Sequence, residues 1–243
     1  MRVLLLGGTA EARTLASELV QRGVDVISSL AGRVSNPALP VGDVRVGGFG
    51  GVAGLTRFLA EEAITAVVDA THPFAATITG NAVAAARMPI VVLRRPGWKA
   101  GPGDDWRRVA DITAAAEHAA AFGPGAIFLT TGRRDLAAFA GDSTHEYLVR
   151  TVDPPTAPTP PRTTLVLARG PYVAESERAL MLEHDVRLLV TKDSGGDLTS
   201  AKLAAARDLR LPVVMVERPA VPGGVPVLSS VPDVLTWLAQ LPG

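Results

Sequence analysis

The tract Leu4-Leu5-Leu6-Gly7-Gly8-Thr9-Ala10-Glu11-Ala12 passes from an apolar run through glycines into a helix-forming stretch. That order suits a pyrophosphate. Glycines let the backbone approach closely, and the first turn of a helix offers free N–H groups and a partial positive charge. On the G-x-G-x-x-G template Gly7 holds the first place, Thr9 the second and Ala12 the third. Thr9 is a departure, and its hydroxyl either caps the helix or donates to a phosphate. The competing reading is a tight strand–helix turn with no ligand.

The end of the second apolar run bears on which dinucleotide would fit. An NAD enzyme places Asp or Glu there for the ribose hydroxyls. This chain has Ser28-Ser29 and then Gly32-Arg33, while Asp25 comes too early in the run. Two hydroxyls and a guanidinium suit a 2′-phosphate, which favours NADP over NAD. Arg33 as a plain solvated loop residue is the alternative.

Three further turns carry polar side chains at the ends of apolar runs. Val67-Val68-Asp69-Ala70-Thr71-His72-Pro73 would place Thr71 and His72 at a sheet's carboxyl edge, where ligands of doubly wound folds bind. His72 is a candidate proton donor, or a structural hydrogen-bonder. Leu129-Thr130-Thr131-Gly132 resembles an anion-friendly turn. Thr191-Lys192-Asp193-Ser194-Gly195-Gly196 brings a lysine out of a buried run into an open glycine turn, with Thr199 expected to cap the next helix. Lys192 and nearby N–H groups suit a carboxylate or phosphate. Lys202, ten residues on, points either at the same site or at solvent.

The elements that must hold these turns alternate short Val/Leu-rich runs with Ala-rich amphipathic stretches. This is βαβ repetition, and it predicts parallel sheets with right-handed crossovers. Arg94–Asp105, rich in Pro and Gly, is read as a connection between lobes. The expectation is an α/β chain of two Rossmann-like lobes, 1–100 and 106–243, with a cleft between them. The lobes share a style but no repeated motif. A short helix is expected near Arg134–Phe139, a helix over Thr199–Leu209, and strands at Val24–Ser28 and Leu165–Leu167.

Composition removes several chemistries. The chain has 243 residues, 24 basic and 24 acidic, and no cysteine. Zero net charge disfavours a nucleic-acid footprint. Without cysteine there are no disulfides, thiolate zinc sites or thiol nucleophiles. The four histidines lack metal-ligand spacing, no G-x-S-x-G elbow occurs, and no Tyr-x-x-x-Lys pair supports a short-chain dehydrogenase. No signal peptide opens the chain and no apolar run is long enough for a membrane span, so a cytoplasmic protein is expected. A bound cofactor must then supply most of the chemistry.

Taken in order, Leu5–Ala12, Asp69-Ala70-Thr71-His72-Pro73-Phe74-Ala75, Thr131-Gly132, Thr191–Gly196 with Lys202, and Pro212–Pro219 resemble the precorrin-6A reductase family of cobalamin biosynthesis. The resemblance implies hydride transfer from NADPH to a double bond of precorrin-6A, giving precorrin-6B. It also implies a large polycarboxylate tetrapyrrole as the small-molecule partner. Gly7, Gly8, Thr9 and Glu11 would then line the pyrophosphate and nearby ribose, and Ser28, Ser29 and Arg33 the 2′-phosphate. Thr71 and His72 would lie near the nicotinamide. Thr131, Gly132, Lys192, Ser194, Gly195 and Lys202 would face the substrate, and His72 and Lys192 are the catalytic candidates. A cobalt-loaded substrate and a non-catalytic NADP-binding module are the alternatives. A monomer is compatible with everything above.

Overall fold

The computed structural model describes residues 1–32 and 39–242. They form two units, Met1–Pro96 with Pro219–Gly243, and Gly97–Arg218. The chain begins with β1 (Arg2–Leu6), α1 (Ala10–Gln21), β2 (Asp25–Leu30), β3 (Asp43–Val46), α2 (Gly51–Glu61), β4 (Ala66–Asp69), α3 (Ala76–Ala85) and β5 (Ile90–Leu93). It crosses to β6 (Trp106–Val109), α4 (Ile112–Ala120), β7 (Ala126–Leu129), a 3-10 turn at Leu136–Phe139, β8 (Glu146–Thr151) and β9 (Thr163–Leu167). There follow α5 (Ala174–Glu183), β10 (Val186–Lys192), α6 (Ala201–Asp208) and β11 (Val213–Val216). It then returns for β12 (Val227–Leu228) and α7 (Val231–Ala239).

The sheet of unit 1 has the order β12-β5-β4-β1-β2-β3, every pair parallel. That is the doubly wound order 3-2-1-4-5-6, with β12 as the sixth strand. The sheet of unit 2, β6-β11-β10-β7-β8-β9, is also wholly parallel. Read from the other edge it has the same order, with β6 as the sixth strand. Each unit thus receives its sixth strand from across a crossover.

Residues 219–243, expected in the second lobe, therefore belong to unit 1. Val227 and Leu228 register with Val92 and Leu93. Val234 and Leu238 of α7 join Leu15, Ala16 and Leu19 of α1 in one core cluster. The crossover residues also carry a repeat that the sequence reading missed. Pro89-Ile90-Val91-Val92-Leu93-Arg94-Arg95-Pro96 and Pro212-Val213-Val214-Met215-Val216-Glu217-Arg218-Pro219 share Pro, Val, Arg and Pro at matching places. Each closes the fifth strand of its unit. The final proline biases the preceding residue away from helix, so the chain leaves the sheet where a crossover helix would otherwise start.

Local chemistry explains the elements that position the turns. Val3–Leu6 are buried on both faces, as a central parallel strand requires. Thr9 caps α1 and Gly23, at φ +73°, follows its end. Leu15 and Leu19 form its buried stripe, and truncating either to Ala is worth about 2–5 kcal/mol. Three expectations shift. β2 runs two residues further than expected, so Ser28 and Ser29 lie within the strand. The turn near 134–139 is 3-10 rather than α. α6 starts at Ala201 with Ser200 at its N-cap and no side-chain capping bond, so Thr199 does not cap it. β6 and β12 were not foreseen, one because Trp-Arg-Arg-Val is half exposed at a sheet edge, the other because two residues show no period.

At the amino end of β8, Asp142 accepts hydrogen bonds from the Tyr147 hydroxyl (2.6 Å) and the Thr144 N–H (2.8 Å), and lies 2.7 Å from His145 Nδ1. Burial alone would raise its pKa, but the bonds from Tyr147, His145 and the backbone outweigh it and hold it at about 2. A depressed carboxylate stabilises the fold above its unfolded value and loses that effect as pH falls through the folded value. Unit 2 is expected to lose stability from about pH 4 down to about 2. In Asp142→Asn that acid transition should vanish and stability at neutral pH should drop by about 1–3 kcal/mol. Acid titration followed by circular dichroism checks both.

Candidate functional site

In unit 1 the first turn is built around Gly8, whose φ of +116° favours glycine, and no atom of the described residues lies within 4 Å of a Cβ added there. The Gly7 N–H donates to the Ser29 carbonyl (2.9 Å), tying the turn to β2. Thr9 Oγ1 accepts from the Ala12 N–H (3.1 Å) and donates to the Ala70 carbonyl (2.8 Å). Its one proton is therefore used on the β4 turn, so Thr9 acts as cap and tie rather than as a phosphate donor. Glu11, in the first turn of α1, sits 2.9 Å from Arg95 Nη1, so its charge is met by a cation that the sequence reading did not single out.

Ser28 and Ser29 alternate across β2, as strand geometry dictates. The Ser28 hydroxyl is buried with no hydrogen-bond partner among the described residues. It borders a depression shared with Gly7, Gly8, Ala12, Arg13 and Leu30. Ser29 Oγ is instead 3.5 Å from Arg45 Nη1. Arg45 donates to the carbonyls of Gly47 and Gly48, 2.7 Å each, and lies 3.8 Å over the Phe49 ring. The two serines therefore do not share one phosphate-facing surface. Arg33 lies outside the described residues.

At the end of β4 the buried Asp69 carboxylate accepts from the Thr71 N–H (3.0 Å), Thr71 Oγ1 (2.7 Å) and Thr79 Oγ1 (2.5 Å). It folds the turn back on the start of α3. His72 Nδ1 accepts from the Phe74 N–H (3.3 Å), so a neutral ring carries its proton on Nε2. Asp69, Thr71, His72, Thr79 and Arg94 line an open hollow. Asp69 and Thr79 were missed, although an Asp at the close of an all-apolar strand, followed two residues on by Thr, was a readable sign of such a turn.

In unit 2 the Thr131 hydroxyl is buried without a partner among the described residues, as is that of Thr151 at the end of β8. Gly132 follows at φ +93°. Arg133 pairs with Asp153 at 3.7 Å. Lys192 forms a close ion pair with Asp135, so it reaches the turn as half of a neutral pair. Asp193 is a hub: its carboxylate accepts from the Trp98 N–H (2.9 Å) and Arg108 Nη1 (3.1 Å), while its carbonyl accepts from Arg218 Nε (2.6 Å). Ser194, Gly195 and Gly196 form the open part of the turn, both glycines at positive φ.

Lys202 points neither at solvent nor out of the turn. It is 4% exposed, and its Nζ donates to the Thr199 carbonyl (2.5 Å). Beside it lies a buried Arg150–Glu177 ion pair that the sequence reading missed, with the Arg150 guanidinium 3.7 Å over the Tyr172 ring. The readable signal was an Arg inside a strand that is otherwise buried.

A glycine turn ahead of a capped helix, on a parallel sheet of order 3-2-1-4-5-6 and with a second sheet of the same order, defines a Rossmann-type α/β protein. Residues 2–239 match the model of the family described as "Precorrin-6x reductase CbiJ/CobK", and the chain belongs to that family of reductases. It is 50% identical to the precorrin-6A reductase of Rhodococcus erythropolis, over 99% of this chain and 98% of the relative. The precorrin-6A reductase of Mycobacterium tuberculosis is 52% identical over the same shares. A solved structure titled "CobK precorrin-6A reductase" superimposes with a TM-score of 0.91 at 41% identity, over 99% of this chain and 96% of that one. The cobalt-precorrin-6A reductase of Priestia megaterium is 31% identical. No helix among the described residues is long and apolar enough to cross a membrane.

Proposed function

We propose that this chain uses NADPH to reduce one double bond of precorrin-6A, giving precorrin-6B, as a cytoplasmic enzyme of corrin-ring biosynthesis. Its whole-length family membership carries the reading, and the turn after β1 supports the cofactor. The open space at Gly8, the N–H groups of α1 and the orphaned Ser28 hydroxyl fit a dinucleotide, and no carboxylate follows β2 to select NAD. Bound there, NADPH supplies a hydride.

The chain's own residues then bind and orient. Gly7 and Gly8 admit the pyrophosphate, with Glu11 held aside by Arg95. Ser28 and Arg33 read the 2′-phosphate, and Arg13 borders the same depression. Thr71 and His72 flank the nicotinamide, their turn fixed by Asp69. Thr131, Gly132, Ser194 and Gly195 contact the tetrapyrrole, and Lys192 with Asp135 steers its carboxylates. The higher identity to relatives named for precorrin-6A favours the metal-free substrate over its cobalt form.

Anaerobic incubation with precorrin-6A and NADPH should consume one NADPH per macrocycle and change the tetrapyrrole absorbance. An unchanged spectrum and unchanged NADPH would sink the reading. Titration with NADPH and NADH tests the cofactor separately. NADPH should bind at least about tenfold tighter, a difference of about 1.4 kcal/mol, and Arg33→Ala should remove that advantage while sparing NADH. Equal affinities in the unaltered protein would count against it.

A further inference from the structure

The turn from Asp193 to Thr199 is held on one aromatic side chain and one buried cation. The Trp98 N–H donates to Asp193 Oδ1 and its indole Nε1–H to the Gly196 carbonyl, both at 2.9 Å. Lys202 Nζ lies 4.6 Å from the centroid of the same indole while it donates to the Thr199 carbonyl. The start, middle and end of the turn are thus tied to a single Trp98–Lys202 stack. Gly97 makes the approach possible, since a Cβ there would fall 2.7 Å from Asp193 Oδ2. Gly195 and Gly196, at φ +64° and +74°, bring no side chains of their own, so the shape of the turn depends on these ties.

The charges that face Lys202 are Arg150 from β8 and Glu177 from α5. Burial first, then Arg150, lowers the Lys202 pKa to about 7, with Glu177 opposing them. The three side chains carry one net positive charge while the ammonium persists and none once it is neutral. A neutral amine can still donate to Thr199 but loses its attraction to the ring face and to Glu177.

We propose that Lys202 is a positioning residue: its ammonium, stacked on Trp98, latches the Asp193–Thr199 turn in the form that holds substrate, and loss of the proton loosens the latch. This rests on the reading that Ser194 and Gly195 contact the tetrapyrrole. The sign is fixed by the direction of titration. The latch is closed below about pH 7 and opens above it.

Two readouts test it. The first is KM for precorrin-6A between pH 6 and 8.5, which should rise about tenfold, with kcat changing far less and NADPH affinity flat. The second is Trp98 emission in a Trp106→Phe/Trp237→Phe protein, which should titrate with a midpoint near 7 and needs no substrate. Lys202→Met should show the high KM at every pH and no emission titration. Lys202→Arg, which keeps the charge, should hold KM low to pH 8.5. Flat KM in the unaltered protein together with flat Trp98 emission in the Trp106→Phe/Trp237→Phe protein would overturn the proposal, whatever the Lys202 variants do. If Ser194→Ala and Gly195→Ala leave KM unchanged while Lys202→Met still abolishes the emission titration, the latch stands and the assignment of this turn to substrate falls.

Discussion

Glu177→Ala is expected to destabilise unit 2 by about 3–5 kcal/mol. The Arg150–Glu177 pair is almost wholly buried, with side chains 5% and 3% exposed. Removing the carboxylate leaves the Arg150 guanidinium without its ion-pair partner and Lys202 facing it as a second cation. The paired replacement Arg150→Met/Glu177→Leu should recover most of the loss, because it removes the buried charges instead of exposing one of them. Without Glu177, a neighbour that raises its pKa, Lys202 should also titrate below its present value of about 7. Urea unfolding of the three variants checks the stability order. A loss under about 1 kcal/mol in Glu177→Ala would mean that water reaches the pair in solution.

Gly8→Val is expected to weaken NADPH binding by about 10- to 100-fold while leaving the fold intact. At φ +116° a β-branched residue is strained by about 1–3 kcal/mol. Among the described residues nothing lies within 4 Å of an added Cβ, so the core is not disturbed. The side chain would instead occupy the open space in front of the α1 N-terminus, where the pyrophosphate is placed. Calorimetric titration with NADPH, alongside thermal unfolding, separates the two effects. Unchanged affinity would remove the turn after β1 from the cofactor site.

Much of the fold was legible because parallel strands buried on both faces read as continuous apolar runs, and Val3–Leu6, Ala126–Leu129 and Val213–Val216 show it. The exchange of sixth strands was not legible. β12 is two residues long, and the octapeptides ending at Pro96 and Pro219 have to be compared with each other before either stands out. Among candidate residues, glycines at turns were readable from their backbone demands. Partners were not, because ion pairing depends on contacts far apart in sequence. Glu11 with Arg95, Lys192 with Asp135 and Lys202 with Trp98 are separated by 84, 57 and 104 residues in the chain. Three side chains whose roles shifted had a partner supplied from outside their own turn: Thr9 from the Ala70 carbonyl, Ser29 from Arg45, and Lys202 from Trp98.

Hydride transfer from NADPH to precorrin-6A is read directly by isotope labelling. The protein is incubated anaerobically with precorrin-6A and NADPH deuterated at either face of nicotinamide C4, and the product mass is measured. One of the two labelled cofactors, and not the other, should deliver a single deuterium to the reduced macrocycle. Reduced product without deuterium from either face, or no reduced product at all, would contradict it.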